Sequence, residues 1–360
     1  MESKKIAVLA GDGIGPEVMA QARRVLTRVA DRFGRSVTFH EGLVGGAAFD
    51  EYQRHLPQET IDLCRSSDAV LFGSVGGPID QSHLPKWRGC EANSILALRK
   101  TFQLAANIRP ARVYPALAEA CPLRPDIVGG GVDLVIIREL QGDVYFGEHT
   151  AWVEAGQRRA KDVGEYSEDQ IAVVARVAFE AARKRHGRVT SVDKANVMQT
   201  SKLWREVVRE VHQEFRDVQL EDMLVDNCAL QLVKNPSQFD VIVTSNLFGD
   251  ILSDLAAALP GSLGLTPSAS LNNQEFGLYE PSGGSAPDLA GKGVANPIAQ
   301  ILSAAMMVRY SFGWNEEAEA IEAAVESALS DGFRTRDIAD KDGVELSTTE
   351  MGDRIIERIR

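Results

Sequence analysis

Asp250 and Asp254, in the run Phe248-Gly249-Asp250-Ile251-Leu252-Ser253-Asp254, stand four residues apart. On a helix that spacing turns both carboxylates to one face, where like charges repel. A divalent cation resolves the repulsion, since Mg²⁺ accepts a few carboxylates and completes its octahedron with water and substrate oxygens. Asp226, closing Met223-Leu224-Val225-Asp226, is a candidate third ligand. The competing account is purely electrostatic: the helix dipole favours carboxylates in a first turn, which suits Asp250 better than Asp254.

Arg99, Arg109 and Arg138 carry the complementary charge. Arg138 closes the apolar run Leu134-Val135-Ile136-Ile137, so at a strand end it should face a crevice. There its planar fork can grip a carboxylate with two hydrogen bonds. Taken singly, each arginine also fits a surface ion pair. Lys194, in Ser191-Val192-Asp193-Lys194, and Tyr145, in Val144-Tyr145-Phe146, are candidate proton carriers where burial or charge moves their pKa. Both equally suit structural roles.

Three glycine-rich stretches complete the chemistry. Gly11-Asp12-Gly13-Ile14-Gly15 follows a strand, but a dinucleotide fingerprint needs its third glycine one residue later, so no Rossmann fold is read from it. The stretch suits ligand contact and a tight turn alike. Gly73-Ser74-Val75-Gly76-Gly77-Pro78 follows a buried strand. Residues 280–296 combine small residues with two polar readers, Asp288 and Asn296. Asp288 is placed to accept from a ribose diol and would repel a 2′-phosphate.

The elements that must hold these residues alternate along the chain. Strands are predicted over 4–9, 36–41, 69–72, 133–138, 189–193 and 239–244, with helices between them. A helix from Pro16 to about residue 33 keeps Val18, Ala22, Val25, Val29 and Phe33 on one face, and Gly34 stops it. Another opens at Ser167 with a capping box to Gln170, runs through Val173, Val177 and Ala181, and ends by Gly187. Further helices are predicted over 59–65, 297–310 and 316–329. Residues 152–166 are polar and glycine-punctuated, with Arg158, Arg159 and Lys161, and read as a protruding arm or hairpin. Residues 260–293 read as one long functional loop. The alternation predicts an α/β protein on a largely parallel sheet with helices on both faces.

Composition narrows the partners. Hydrophobic residues at 44% and charged residues at 25% exclude a disordered chain. A net charge of −12 leaves no general field for a phosphodiester backbone, so no nucleic acid is expected. No apolar run approaches the roughly 18 residues of a membrane span, so no membrane is expected either. Cys64, Cys90, Cys121 and Cys228 form no C-x-x-C pair, and the six histidines show no metal-ligand spacing. Buried thiols in a reducing, cytoplasmic compartment are expected.

Taken together, these stretches resemble the β-decarboxylating dehydrogenases, the isocitrate and isopropylmalate dehydrogenase family, over essentially the whole chain. The most specific parts are Asn246-Leu247-Phe248-Gly249-Asp250-Ile251-Leu252-Ser253-Asp254, Leu259-Pro260-Gly261-Ser262-Leu263-Gly264 and Gly284-Ser285-Ala286-Pro287-Asp288-Leu289-Ala290-Gly291-Lys292. The resemblance implies the family's own α/β fold, which is not a Rossmann fold. One domain, of residues 1–104 and 258–360, would lie on the cofactor side. The other, residues 105–257, would carry the metal, the dimer contact and an arm at about 149–166.

The implied reaction is NAD-dependent oxidative decarboxylation of 3-isopropylmalate to 4-methyl-2-oxopentanoate and CO₂ with Mg²⁺ or Mn²⁺, in leucine biosynthesis. By this resemblance Arg99, Arg109 and Arg138 bind the malate carboxylates, and Asp226, Asp250 and Asp254 hold the metal. Asp226, which also meets the substrate, and Lys194 come across a homodimer interface. Lys194 helps take the hydroxyl proton and Tyr145 protonates the enol. NAD is implied along Gly73, Ser74, Val75, Gly76 and Gly77, and along Glu280, Gly284, Ser285, Ala286, Pro287, Asp288 and Asn296. Asp288 with Leu289 is similar to NAD-using members. Ile95 and Leu96 suit an isopropyl group, and Glu91 lies near the nicotinamide ribose. Gly283 stands where some members have a histidine near the adenine.

Overall fold

A computed structural model describes residues 3–129, 131–274, 276–340 and 343–360. In chain order the strands begin with β1 (Ser3–Gly11), β2 (Ser36–Glu41), β3 (Ala69–Ser74), β4 (Ala106–Arg112), β5 (Asp133–Glu139), β6 (His149–Glu154) and β7 (Gln157–Asp162). They continue with β8 (Arg188–Asp193), β9 (Gln219–Leu224), β10 (Val241–Thr244), β11 (Pro267–Leu271) and β12 (Gly277–Pro281). Two compact units divide the chain. The first comprises Met1–Phe102, Val113–Pro122 and Pro260–Arg360; the second comprises Gln103–Arg112 and Leu123–Leu259. Residues 113–122, expected within the 105–257 segment, instead cluster with the first unit. There the buried Arg334 donates to the Ala116 carbonyl at 2.8 Å.

In the first unit the strand order is β2-β1-β3-β12-β11. Every neighbouring pair is parallel except β11 with β12. The core of β1 (Ile6 to Leu9) and all of β3 are buried, as continuous apolar runs in parallel sheets require. Two expectations are corrected here. β3 runs on through Gly73 and Ser74, because Gly73 lies too close to the Ala10 carbonyl to carry a side chain and the register continues to Gly11 opposite Ser74. The supposed loop over 260–293 contains β11 and β12, short strands whose proline, serine and glycine disguise them while Ala269, Leu278 and Tyr279 are buried. Helix Gly15–Arg32 buries Val18, Met19, Ala22, Val25, Leu26 and Val29, each large apolar side chain contributing about 1.5–3 kcal/mol. Helix Ile298–Tyr310 is buried on nearly all sides.

In the second unit the order is β4-β5-β10-β8-β9, with only β4 and β5 antiparallel. The buried run from Leu134 to Ile137 holds β5 in the sheet and delivers Arg138 at its end. β10 starts later than predicted because Pro236–Gln238 forms a 3₁₀ turn before it. Helix Glu168–Arg183 opens on the predicted capping box between Ser167 and Gln170. β6 and β7 form an exposed hairpin that turns at Ala155 and Gly156, both with positive φ. The chain is thus an α/β protein with mostly parallel strands. Among the described residues no helix is long and apolar enough to cross a membrane.

Candidate active site

Five predicted residues of the second unit gather: Arg109 within β4, Arg138 near the end of β5, Tyr145 in the loop that follows, and Asp250 and Asp254 on helix Asn246–Ala257. That helix presents Asp250 and Asp254 one turn apart. Arg138, 2% exposed, forms an ion pair with Asp250, and its Nε and Nη2 donate to Asn246 Oδ1 at 3.0 and 2.8 Å. Gly249 makes this approach possible: a Cβ there would fall 2.6 Å from Arg138 Cγ and 2.7 Å from its Cβ. Arg109 donates to Asp254 Oδ1 at 3.0 Å and Ser253 Oγ at 2.8 Å, and its Nε is held by Asn107 Oδ1 at 2.7 Å. Tyr145 lies under the Arg138 guanidinium, and its hydroxyl donates to Asp250 Oδ2 at 2.5 Å. Burial, with the hydrogen bond to Asp250, pushes the Tyr145 phenol up.

Lys194 and Asp226 form a separate pair, Nζ to Oδ1 at 2.5 Å. That hydrogen bond holds the Asp226 carboxyl below its ordinary range. Asp226 stays largely exposed. Among the described residues no three His, Cys, Asp or Glu side chains stand together as a metal-binding set. Arg109 reaches both Asp250 and Asp254, whereas Asp226 meets Lys194.

The remaining predicted residues belong to the first unit. Residues 92–96 form one π-helical turn, with the Leu96 amide donating to the Glu91 carbonyl at 3.2 Å. This turn buries Ile95, leaves Leu96 half-exposed and leaves Glu91 in solvent. Arg99 Nη2 donates to Glu280 Oε1 at 3.0 Å, both side chains being nearly buried. Arg99 Nε is buried with no acceptor among the described residues.

A cavity of about 660 Å³ in this unit is lined by Ser74, Gly284, Ala286 and Asn296 of the predicted cofactor residues. The others are placed differently. Gly76 donates to the Asp12 carboxylate, Gly77 packs on Trp87, and Asp288 is exposed. The sequence reading missed Ile14, Val18 and Gln300 on the cavity wall. Gln300 is 1% exposed, and both atoms of its amide lack a partner among the described residues. It also missed Asp12, whose buried carboxylate accepts from the amides of Gly46, Ala47 and Gly76 at 2.8–3.0 Å. An acidic residue between glycines was the available signal. The turn over 11–15 is tightly packed, Ile14 donating to the Ser285 carbonyl at 2.9 Å and Gly13 leaving no room for a Cβ beside that same group, and through Ile14 it also forms part of the cavity wall.

A family model described as isocitrate/isopropylmalate dehydrogenase matches residues 5–355. A 3-isopropylmalate dehydrogenase of Haemophilus influenzae is 54% identical over 360 residues, covering all of both chains. One of Mannheimia succiniciproducens is 55% identical over 353 residues, 98% of each chain. An isocitrate dehydrogenase structure from Methylococcus capsulatus superposes with a TM-score of 0.86 at 35% identity, covering 99% of each chain. The apo β-decarboxylating dehydrogenase of Thermococcus kodakarensis superposes at 0.80 with 39% identity, covering 99% of this chain and 96% of that one.

Proposed function

We propose, because the chain belongs to the isocitrate/isopropylmalate dehydrogenase family, that it oxidises and decarboxylates 3-isopropylmalate with NAD and Mg²⁺ or Mn²⁺ in leucine biosynthesis. The observation that carries this reading is the cluster in which Asp250 meets Arg138, Arg109 and Tyr145. Its two guanidinium groups now neutralise aspartates, and a dicarboxylate with a divalent cation offers both sides a stronger partner.

The residues fit both implied groups. Asp250 and Asp254 share a helix face as ligands for the cation, and the orphaned amide of Gln300 and the open backbone at Gly284 suit a dinucleotide in the cavity. When bound, these groups supply a hydride acceptor and positive charge toward the substrate's oxygens. Arg109, Arg138 and Arg99 hold the two carboxylates and fix which carbon faces the site. Lys194 helps take the hydroxyl proton once Asp226 turns to the cation and the lysine has released its own ammonium proton to solvent. Tyr145, kept neutral by burial and by Asp250, then donates its proton to the carbon that CO₂ has left. Ile95 and Leu96 give the isopropyl group an apolar surface, Glu91 meets the nicotinamide ribose, and Asp288 reads the adenosine ribose.

The protein acts as a homodimer in which Lys194 and Asp226 serve the partner's site. In support, Val197, Met198, Leu230, Val233 and Ile251 are exposed apolar side chains on the segments that carry Lys194, Asp226 and Asp250. The first unit serves as the cofactor side and the second as the dimerisation and metal side. Four buried cysteines without disulfides accord with a cytoplasmic place of action.

The test is NADH formation with Mg²⁺ from 3-isopropylmalate, isocitrate and tartrate under identical conditions. Isopropylmalate should be preferred, and Asp250→Asn should lower its turnover at least about a hundredfold. Preference for another acid overturns the reading of Ile95 and Leu96.

A further inference from the structure

The loop that carries Tyr145 and the helix that carries Asp250 are joined by side chains outside the machinery described so far. Helix Asn246–Ala257 lacks a cap of its own: Ser245 supplies no capping bond, and its buried Oγ has no partner among the described residues. Two remote groups receive the first amides instead. Asn246 N donates to Tyr166 Oη at 2.8 Å, and Leu247 N to Asp143 Oδ2 at 3.1 Å. An exposed first turn can find water, but a buried one needs such acceptors.

Asp143 also builds the Tyr145 loop. Its carbonyl accepts from Phe146 and Gly147 at 3.3 and 3.2 Å, and its Oδ1 accepts from Val144 N at 2.9 Å. It does this at a φ of 67°, a left-handed conformation that costs about 1 kcal/mol or more for a residue with a side chain. Tyr166 closes the circuit, donating to Glu139 Oε2 at 3.0 Å, while Glu139 Oε2 also accepts from Gly142 N at 2.9 Å. A Cβ at Gly142 would meet the Tyr166 ring at 2.5 and 2.7 Å, so loop and ring are in close contact. Asn246 ties in the substrate side, its Nδ2 donating to the Gly142 carbonyl at 3.1 Å while its Oδ1 holds Arg138.

We propose that Asp143 and Tyr166 are positioning residues: they dock the Tyr145 loop onto the first turn of the Asp250 helix and so fix the Tyr145–Asp250 contact. The catalytic consequence rests on the role given above to Tyr145, whereas the positioning stands on geometry alone. Tyr166→Phe removes only the hydroxyl, and Asp143→Asn keeps shape and backbone tolerance.

Crystal structures of both variants test the docking. The Tyr145 Oη to Asp250 Oδ2 separation should lengthen from 2.5 Å to beyond about 3.5 Å in Tyr166→Phe, and less in Asp143→Asn. In turnover, kcat should fall about ten- to a hundredfold while KM for both substrates stays within about threefold, the signature of a displaced acid rather than a loosened fold. A retained 2.5 Å contact in both variants, with kcat within about twofold of wild type, overturns the proposal. If Tyr166→Phe fails to fold, Asp143→Asn decides by the same measures. Should the wild type oxidise none of the acids, the reaction assigned above falls, and the crystallographic distance still decides the docking.

Discussion

Glu139 ends β5 with its carboxyl group inside the protein, next in sequence to the arginine that grips Asp250. Burial is the chief cause that pushes its carboxyl up to about 7, against the opposing pull of the Gly142 and Gln141 amides. The folded chain therefore holds a proton there that the unfolded chain releases near its ordinary value of 4.5. This group's contribution to stability is full below that value and is lost as pH rises to about 7, by up to about 3 kcal/mol. Thermal melts from pH 5 to 8 should show this loss in the wild type, and Glu139→Gln should lack that part of the slope. Equal slopes would mean that Glu139 titrates normally. At this scale the sequence showed which residue types could do chemistry, and Arg138, Asp250 and Tyr145 do meet. It did not show Asn246, because an amide that joins an arginine to a loop carbonyl leaves no spacing pattern.

Capping residues give the element scale its sharpest test. Ser167 and Gln170 close a reciprocal cap on helix Glu168–Arg183. Ser167→Ala should lower stability by about 1 kcal/mol, a shift of roughly 2–3 °C in Tm, with kcat unchanged. A loss of turnover with that variant would mean the helix start moves the neighbouring Tyr166. This cap was legible because it is written in four consecutive residues, as were the buried runs of β1, β3 and β5. β11 and β12 were not legible, since each is a five-residue strand whose burial comes from neighbours distant in sequence. The π-helical turn over 92–96 was equally hidden, because nothing in Ala92-Asn93-Ser94-Ile95-Leu96 distinguishes an extra residue per turn from an ordinary helix.

For the molecule as a whole, shared sites make a prediction that no single chain can. If Lys194 serves the partner's site, Lys194→Ala and Tyr145→Phe chains, each nearly inactive alone, should complement one another when unfolded and refolded together. Random pairing would put half the chains in mixed dimers with one intact site each, restoring about a quarter of wild-type activity. No recovery, with mixed dimers demonstrated by mass, would place Lys194 in its own chain's site. The exposed apolar side chains on the segments that carry Lys194 and Asp226 motivate the experiment. The same exposed apolar side chains that support the dimer were invisible to composition, which reports how many such residues exist and not where they surface.

The place of β12 beside β3 has a consequence for how the chain is made. Some two hundred residues separate these neighbours, and the whole of the second unit lies between them in sequence. During synthesis the second unit's strands all emerge before β12 does, so that unit can close while the first waits. Throughout that wait β3, fully buried in the finished sheet, offers a bare edge to any other nascent strand. The hazard for this protein is therefore greatest during translation, and slowing the last hundred codons should cost more yield than slowing the first.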